Sequence, residues 1–379
     1  METGCINEGK APIRVAHIIG KLNAAGVEAV MNNYYRCIDR DKYQFDFIID
    51  SDGSGHPRPE LVELGARYFT VPPYQKLFRH FAALRKLFLT NRYLIVHASM
   101  NSLSLISLCA AWSAGVPVRI NHSHNTAAPG EFGRTLLKNV LRCFSRVFAT
   151  HCCACSRIAG EWLFGRKAVR SGAVQILRNA IDTKKFGFDQ TVRDTIRERY
   201  GLQNNYVIGH VGRFCYQKNQ EFALEVLSAL CREDPDVRLL MIGTGTTEEK
   251  LKKKAEQFGV CEAVLFLGAC DDVSELYQAM DLFVFPSRYE GLGLVAVEAQ
   301  CAGLPVIAST EVPDESKVTD RIRYLPLSDG AEAWAKEILH ERTLRRDRHV
   351  SIDPRYDIQT EAKVLEAFYD RAVSELGGR

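Results

Sequence analysis

The sequence predicts an α/β protein made of two doubly wound parallel-sheet domains facing across a cleft. Three observations carry that expectation. The chain has 379 residues, about twice the usual span of one domain. Short apolar runs alternate with helical stretches almost throughout, as strand–helix–strand units require. Between two such series lies LRNAIDTKKFGFDQ, residues 177–190, where few apolar residues recur in period and the chain reads as a linker.

The first series opens with IRVAHII at 13–19, followed by the loop GKLNAAG and a helix from about Val27 to Ile38. Next come FDFII (45–49), a helix around 77–90, YLIVH (93–97), a helix around 102–114 and VPVRIN (116–121). A helix near 134–145 and the run VFATHCCA (147–154) complete it, with Ser156 placed to cap the next helix. The second series contains YVIGHVG (206–212), VRLLMIG (237–243), AVLFLG (263–268), DLFVFPS (281–287) and PVIAST (305–310). A last helix, about Gln359 to Leu376, follows a polar stretch containing a proline. The expected division is residues 1–178, 179–355 and a C-terminal helix, 356–379, packing back on the first domain.

Composition narrows the function. With 46% hydrophobic and 25% charged residues the chain reads as soluble and globular. A formal charge of +3 is too small to argue for nucleic-acid binding. No apolar run reaches the roughly 18 residues of a membrane span, and METGCINEGKAPIRV lacks the apolar core of a secretory signal. The expectation is a cytoplasmic protein whose twelve cysteines are reduced. The cluster His151-Cys152-Cys153-Ala154-Cys155 reads as a buried strand, since alternate side chains point to opposite faces and no second ligand pair has zinc spacing.

Ligands of open α/β sheets bind outside the carboxyl ends of strands, and two stretches stand there. Arg213 and Lys218 directly follow YVIGHVG. A guanidinium fork and an ammonium at that spacing can converge on a phosphate. The second stretch is RYEGLGLVAVEAQCAG (288–303), after the apolar run DLFVFPS. Gly291 and Gly293 fall on the strand-to-helix loop, where bare backbone N–H groups and a helix N-terminus favour an anion. Glu290 sits on the loop, and Glu298, in the second helical turn, can accept hydrogen bonds from a diol.

These stretches, with LRNAID (177–182), LLMIGTG (239–245) and VLFLGACDDVSELYQAM (264–280), resemble the retaining family 4 glycosyltransferases of GT-B fold. IIGKLNAAGVEAVMNNYYR (18–36) and RINHSHN (119–125) match more loosely, and the likeness is greatest to bacterial capsule and exopolysaccharide enzymes. The resemblance implies a nucleotide-sugar donor, UDP being preferred from the family's habit, and a glycan acceptor, often lipid-linked. It implies a donor set of Gly26, Arg213, Lys218, Gly243, Glu290, Gly291, Leu292, Gly293, Leu294 and Glu298. In that set Glu298 holds the ribose, Arg213 and Lys218 the diphosphate, and Glu290 the sugar hydroxyls near the reacting carbon. Gly26 would let backbone approach the phosphate or the acceptor. His122 and Glu290 are the implied catalytic pair, with His122 at the reaction centre and His124 read as structural. Charge building on the leaving diphosphate would be met by the two cations and the helix amides, so no metal or other cofactor is expected. Glu290 is assigned to sugar positioning rather than to nucleophilic attack.

Three rivals remain at this level. Asp50-Ser51-Asp52 could hold a metal–nucleotide, against the plainer reading of a polar turn. A nucleotide-sugar epimerase on the same fold would act without an acceptor, and a non-catalytic sugar-nucleotide-binding subunit would bind without turnover. Finally, KLFRHFAALRKLFLTNR (76–92) interleaves apolar and basic residues. It is read chiefly as a helix packed on the sheet, with peripheral contact to the inner membrane as the functional alternative.

Overall fold

The computed structural model describes residues 11–22, 26–53, 55–124, 139–270, 272–342, 346–348 and 350–377. The chain forms two compact units, Met1–Arg178 together with Ile358–Arg379, and Asn179–Asp357.

The first unit carries a parallel seven-stranded sheet. Its strands are β1 (Ile13–Gly20), β2 (Tyr43–Asp50), β3 (Arg67–Val71), β4 (Ile95–Ala98), β5 (Val118–Ser123), β6 (His151–Ala154) and β7 (Gln175–Ile176), in the order β3-β2-β1-β4-β5-β6-β7. The order reverses at β1/β4, where His17 is the register partner of His97. The second unit carries a parallel sheet of β8 (Tyr206–Val211), β9 (Val237–Ile242), β10 (Val264–Gly268), β11 (Leu282–Phe285), β12 (Val306–Ser309) and β13 (Ile322–Leu325). Its order is β10-β9-β8-β11-β12-β13, reversing at β8/β11. Every residue of β11 is buried, as a central strand covered on both faces must be.

Sequence patterning missed β3, β7 and β13, and the reason is their position. All three lie at sheet edges, where partial exposure admits charged residues such as Arg67 and Arg323 and dilutes the apolar signal. One boundary matters for the site. The run VPVRIN was expected to end at Asn121, but β5 continues to Ser123, so His122 lies within the strand and only His124 follows it. The cysteine-rich run is a buried strand, with Cys152, Cys153 and Cys155 all shielded. Ser156 caps the following helix by accepting from the Ala159 amide. The helix expected near 134–145 lies partly outside the described residues.

The helix Ile358–Ser374 belongs to the first unit. It buries Ala362, Leu365 and Tyr369. Its Glu361 accepts from the Arg178 amide at 3.0 Å, and its Asp370 accepts from Tyr43 at 2.6 Å and Lys42 at 2.7 Å. The helix Leu77–Asn91 buries only His80, Leu84 and Phe88. Phe78 stands 87% exposed on it, with Leu77 and Leu89 also exposed.

Candidate functional site

The second unit brings the two motif stretches together because β8 and β11 are neighbours at the point where strand order reverses. Both following loops leave the same sheet edge, the usual ligand position of such a sheet. They are stitched to one another. Asn219 Nδ2 donates to the Pro286 carbonyl at 3.1 Å, Arg288 donates to Asn219 Oδ1 at 2.7 Å, and the Arg288 amide donates to the Gln217 carbonyl at 2.8 Å. The Arg288 guanidinium also lies over the Tyr216 ring, 4.5 Å from its centroid. Sequence reasoning passed over Gln217, Asn219 and Arg288, which carry this seam. The available signal was Asn219 itself, since a left-handed backbone (φ 56°) favours Asn at a turn into a helix.

At the centre, Lys218 Nζ pairs with Glu290 Oε1 at 2.7 Å, and Gln217 Nε2 donates to Glu290 Oε2 at 3.3 Å. Lys218 also lies over the Phe285 ring, 5.0 Å from its centroid. Arg213 is exposed on the same loop and makes no ion pair among the described residues, so its fork is available to an anion. Gly243 directly follows the neighbouring strand β9. A Cβ there would lie 2.2 Å from the Gly212 carbonyl oxygen, so glycine is what allows the Arg213 loop to pack.

Gly293 sits just before the helix Leu294–Cys301 with φ 81°, a left-handed turn that sends the chain from loop to helix. Gly291 lies on the loop between Glu290 and Leu292. The Leu292 side chain is buried in the core, and Leu294 is the first helical residue. Glu298 occupies the second turn, as expected. Tyr277, another residue the sequence did not single out, donates to Glu298 Oε2 at 2.9 Å. Burial pushes the Glu298 carboxyl up to about 7, against the opposing influence of the Tyr277 hydroxyl, Lys218 and Lys185.

The first unit places its implied residues differently. Gly26 begins the helix Gly26–Cys37, and a Cβ there would meet nothing within 4 Å. His122 is fully buried, with Nδ1 2.9 Å from His97 Nε2. The His124 ring lies against it at a centroid distance of 3.9 Å, and the His124 amide donates to Asn101 Oδ1 at 2.8 Å. His124 is thus the histidine just past the carboxyl end of β5. Asp50 and Asp52 have separate basic neighbours: buried Asp50 faces His80 at 3.8 Å, while exposed Asp52 pairs with Lys21 at 2.6 Å.

Comparison with known proteins fits this geometry. Residues 25–179 match the family model described as glycosyl transferase 4-like domain, and residues 192–338 that of glycosyl transferases group 1. EpsF of Bacillus subtilis (strain 168), which carries a glycosyltransferase name, is 33% identical over 335 residues, covering 86% of each chain. The Escherichia coli UDP-Gal:alpha-D-GlcNAc-diphosphoundecaprenol alpha-1,3-galactosyltransferase is 26% identical, covering 78% of this chain and 79% of its own. Among solved structures, Anabaena HepE in complex with UDP and glucose superposes with a TM-score of 0.77 at 21% identity, over 95% of this chain and 100% of that one. Two Rossmann-like parallel sheets of this kind define the GT-B architecture. The chain belongs to the glycosyltransferases, with a 4-like first domain and a group 1 second domain.

Proposed function

We propose that the protein is a retaining glycosyltransferase that moves a hexose from a UDP-sugar to a lipid-linked glycan in surface polysaccharide synthesis. The observation that carries this is the Lys218–Glu290 pair on two stitched loops at the β8/β11 switch point. A cation for the diphosphate and a carboxylate for sugar hydroxyls must stand side by side, because the bond to be broken joins diphosphate to sugar. Arg213 and Lys218 neutralise the leaving diphosphate, assisted by the amides at Gly291–Leu294. Glu298 accepts from the ribose hydroxyls, and Glu290 orients the sugar. His122, with His124 packed against it, supplies the imidazole of the reaction centre.

UDP as the nucleotide is supported by the UDP in the HepE complex and in the E. coli relative's name. The same name supports a diphosphoundecaprenol-linked acceptor. Charge neutralisation by side chains and amides leaves no step that calls for a metal, so activity is proposed to survive chelation. The exposed Phe78, flanked by exposed Lys76 and Arg79, supports peripheral contact with an anionic membrane surface.

A panel of UDP- and GDP-sugars, incubated with EDTA and a polyprenyl-diphosphate-linked sugar, tests the reading. Transfer from a UDP-sugar with the anomeric configuration kept is the expected result. Inversion, epimer without acceptor, or binding without transfer each contradicts it.

A further inference from the structure

The loops after β8 and β11 pair in order. Each residue of the turn Tyr216–Lys218 reaches one place on the facing loop. Tyr216 meets the Arg288 guanidinium, 4.5 Å from its ring centroid. Gln217 Nε2 donates to the Tyr289 carbonyl at 3.0 Å and to Glu290 Oε2 at 3.3 Å. Lys218 closes the row on Glu290 Oε1 at 2.7 Å. The Tyr216 ring and the Lys218–Glu290 pair are thus the two ends of one short row.

Tyr216 is 68% exposed, and among the described residues of the second unit it is the only exposed aromatic side chain. A single exposed aromatic is ordinary on a protein surface. This one differs in being braced. Arg288 Nη2 donates to Asn219 Oδ1 at 2.7 Å, and the Arg288 amide donates to the Gln217 carbonyl at 2.8 Å. Asn219 is itself buried and donates to the Pro286 carbonyl at 3.1 Å. The guanidinium behind the ring is therefore a fixed support and not a mobile surface cation. It covers one face of the ring. Among the described residues no second ring or cation stacks on Tyr216.

We propose that the Tyr216 ring is a stacking platform for a pyranose in the transfer site. The proposal deepens the proposed function and rests on it, because Lys218 and Glu290 are read there as the diphosphate and sugar contacts.

The chemistry of a sugar asks for such a group. A pyranose presents hydroxyls around its rim and C–H bonds on an apolar face. Glu290 suits the hydroxyls and Lys218 the diphosphate, but neither covers the C–H face. An aromatic ring does, by removing apolar area from water and by setting C–H groups against its electron-rich face. Tyrosine brings that area with two side-chain torsions, and the brace fixes the ring before the sugar arrives, which lowers the ordering cost of binding. In a nucleotide-sugar the diphosphate separates ribose from pyranose. With Glu298 assigned to the ribose and Glu290 to the sugar, the row from Glu290 to Tyr216 belongs to the sugar side. Two pyranoses meet at the bond being made, one from the donor and one from the acceptor, and the test separates them.

The test is calorimetric titration of UDP and of the UDP-sugar active in the panel above, joined to steady-state kinetics with the polyprenyl-diphosphate-linked sugar as acceptor. Tyr216→Ala is expected to bind UDP within about twofold of wild type. Stacking of the donor pyranose lowers its affinity for the UDP-sugar by about fivefold, whereas stacking of the acceptor pyranose leaves that affinity intact and raises acceptor KM by about fivefold. Either result supports the platform, with Tyr216→Phe and Tyr216→Trp restoring wild-type values. Unchanged UDP-sugar affinity and unchanged acceptor KM in Tyr216→Ala overturn the proposal. So does a loss of UDP affinity as large as that for the UDP-sugar, which would set the ring against the nucleotide. The exposed position of Tyr216 lets each variant keep the wild-type melting temperature. A wild-type protein that binds no nucleotide-sugar overturns the proposed function itself, while an indifferent Tyr216→Ala in an active enzyme overturns only the platform.

Discussion

Lys218 and Glu290 hold each other at 2.7 Å with only 17% and 6% of their side chains exposed. The cation assigned to the diphosphate and the carboxylate assigned to the sugar are therefore one unit before any donor arrives. Removing either partner leaves a poorly solvated charge behind. Lys218→Ala and Glu290→Ala should each destabilise the protein, and the double variant by less than their sum, with a coupling of about 1–2 kcal/mol in denaturant melts. The two should separate functionally. Glu290→Gln keeps UDP affinity within a few-fold but loses about 100-fold in kcat with the UDP-sugar, whereas Lys218→Ala weakens UDP itself. Additive stabilities, or equal loss of UDP binding in both, would count against the shared role.

Glu298 carries a pH signature. Its folded-state value is raised from 4.5 to about 7, so the folded protein keeps a proton there that the unfolded chain releases. Stability of the ligand-free protein should fall as pH rises through that window, and Glu298→Gln should be the more stable form at pH 8, by roughly 1–2 kcal/mol. Donor binding runs the other way, because the ionised carboxylate is the better acceptor for ribose hydroxyls. UDP affinity measured by calorimetry should weaken in wild type as pH falls through about 7, and lose that dependence in Glu298→Gln.

The glycines divide by geometry. A methyl group at Gly243 would lie 2.2 Å from a backbone oxygen, which cannot swing aside as a side chain would. Gly243→Ala should cost on the order of 2 kcal/mol or more and disturb the Arg213 loop. Gly26 has open space around its Cβ position, so Gly26→Ala should melt like wild type. If backbone at Gly26 approaches the substrate, that variant loses turnover all the same, and unchanged kinetics would remove Gly26 from the site.

The candidate donor loops were readable in the sequence because the pattern that marks them is local. Lys218, Glu290 and Glu298 lie on loops and a helix immediately after apolar strands, where order along the chain fixes place in the fold. The Lys218–Glu290 bond joins residues 72 positions apart and became visible only with β8 beside β11. The histidines were harder. RINHSHN shows two imidazoles, but the end of β5 at Ser123 decides which one passes the strand edge. Nothing local to Tyr369, 272 residues beyond His97, indicates that its hydroxyl reaches that ring.

The helix Leu77–Asn91 gives a further expectation. Lys76, Arg79, Arg85, Lys86 and Arg92 are exposed around it along with Phe78. Full-length protein should float with vesicles containing anionic lipid, and recovery should drop severalfold in a variant lacking the Arg79, Arg85 and Lys86 charges. Phe78→Ser should weaken flotation with less dependence on salt. Equal recovery of wild type and charge variant would exclude this helix as the contact.

The most direct measurement is calorimetric titration of UDP-sugars into wild type, Glu298→Gln and the Arg213→Ala/Lys218→Ala double variant at pH 8. Binding by wild type, weakened by about tenfold or more in each variant, is the expected result. A wild-type protein that binds no nucleotide-sugar, or variants that bind as well as wild type, would contradict the assignment of the β8 and β11 loops as the donor site.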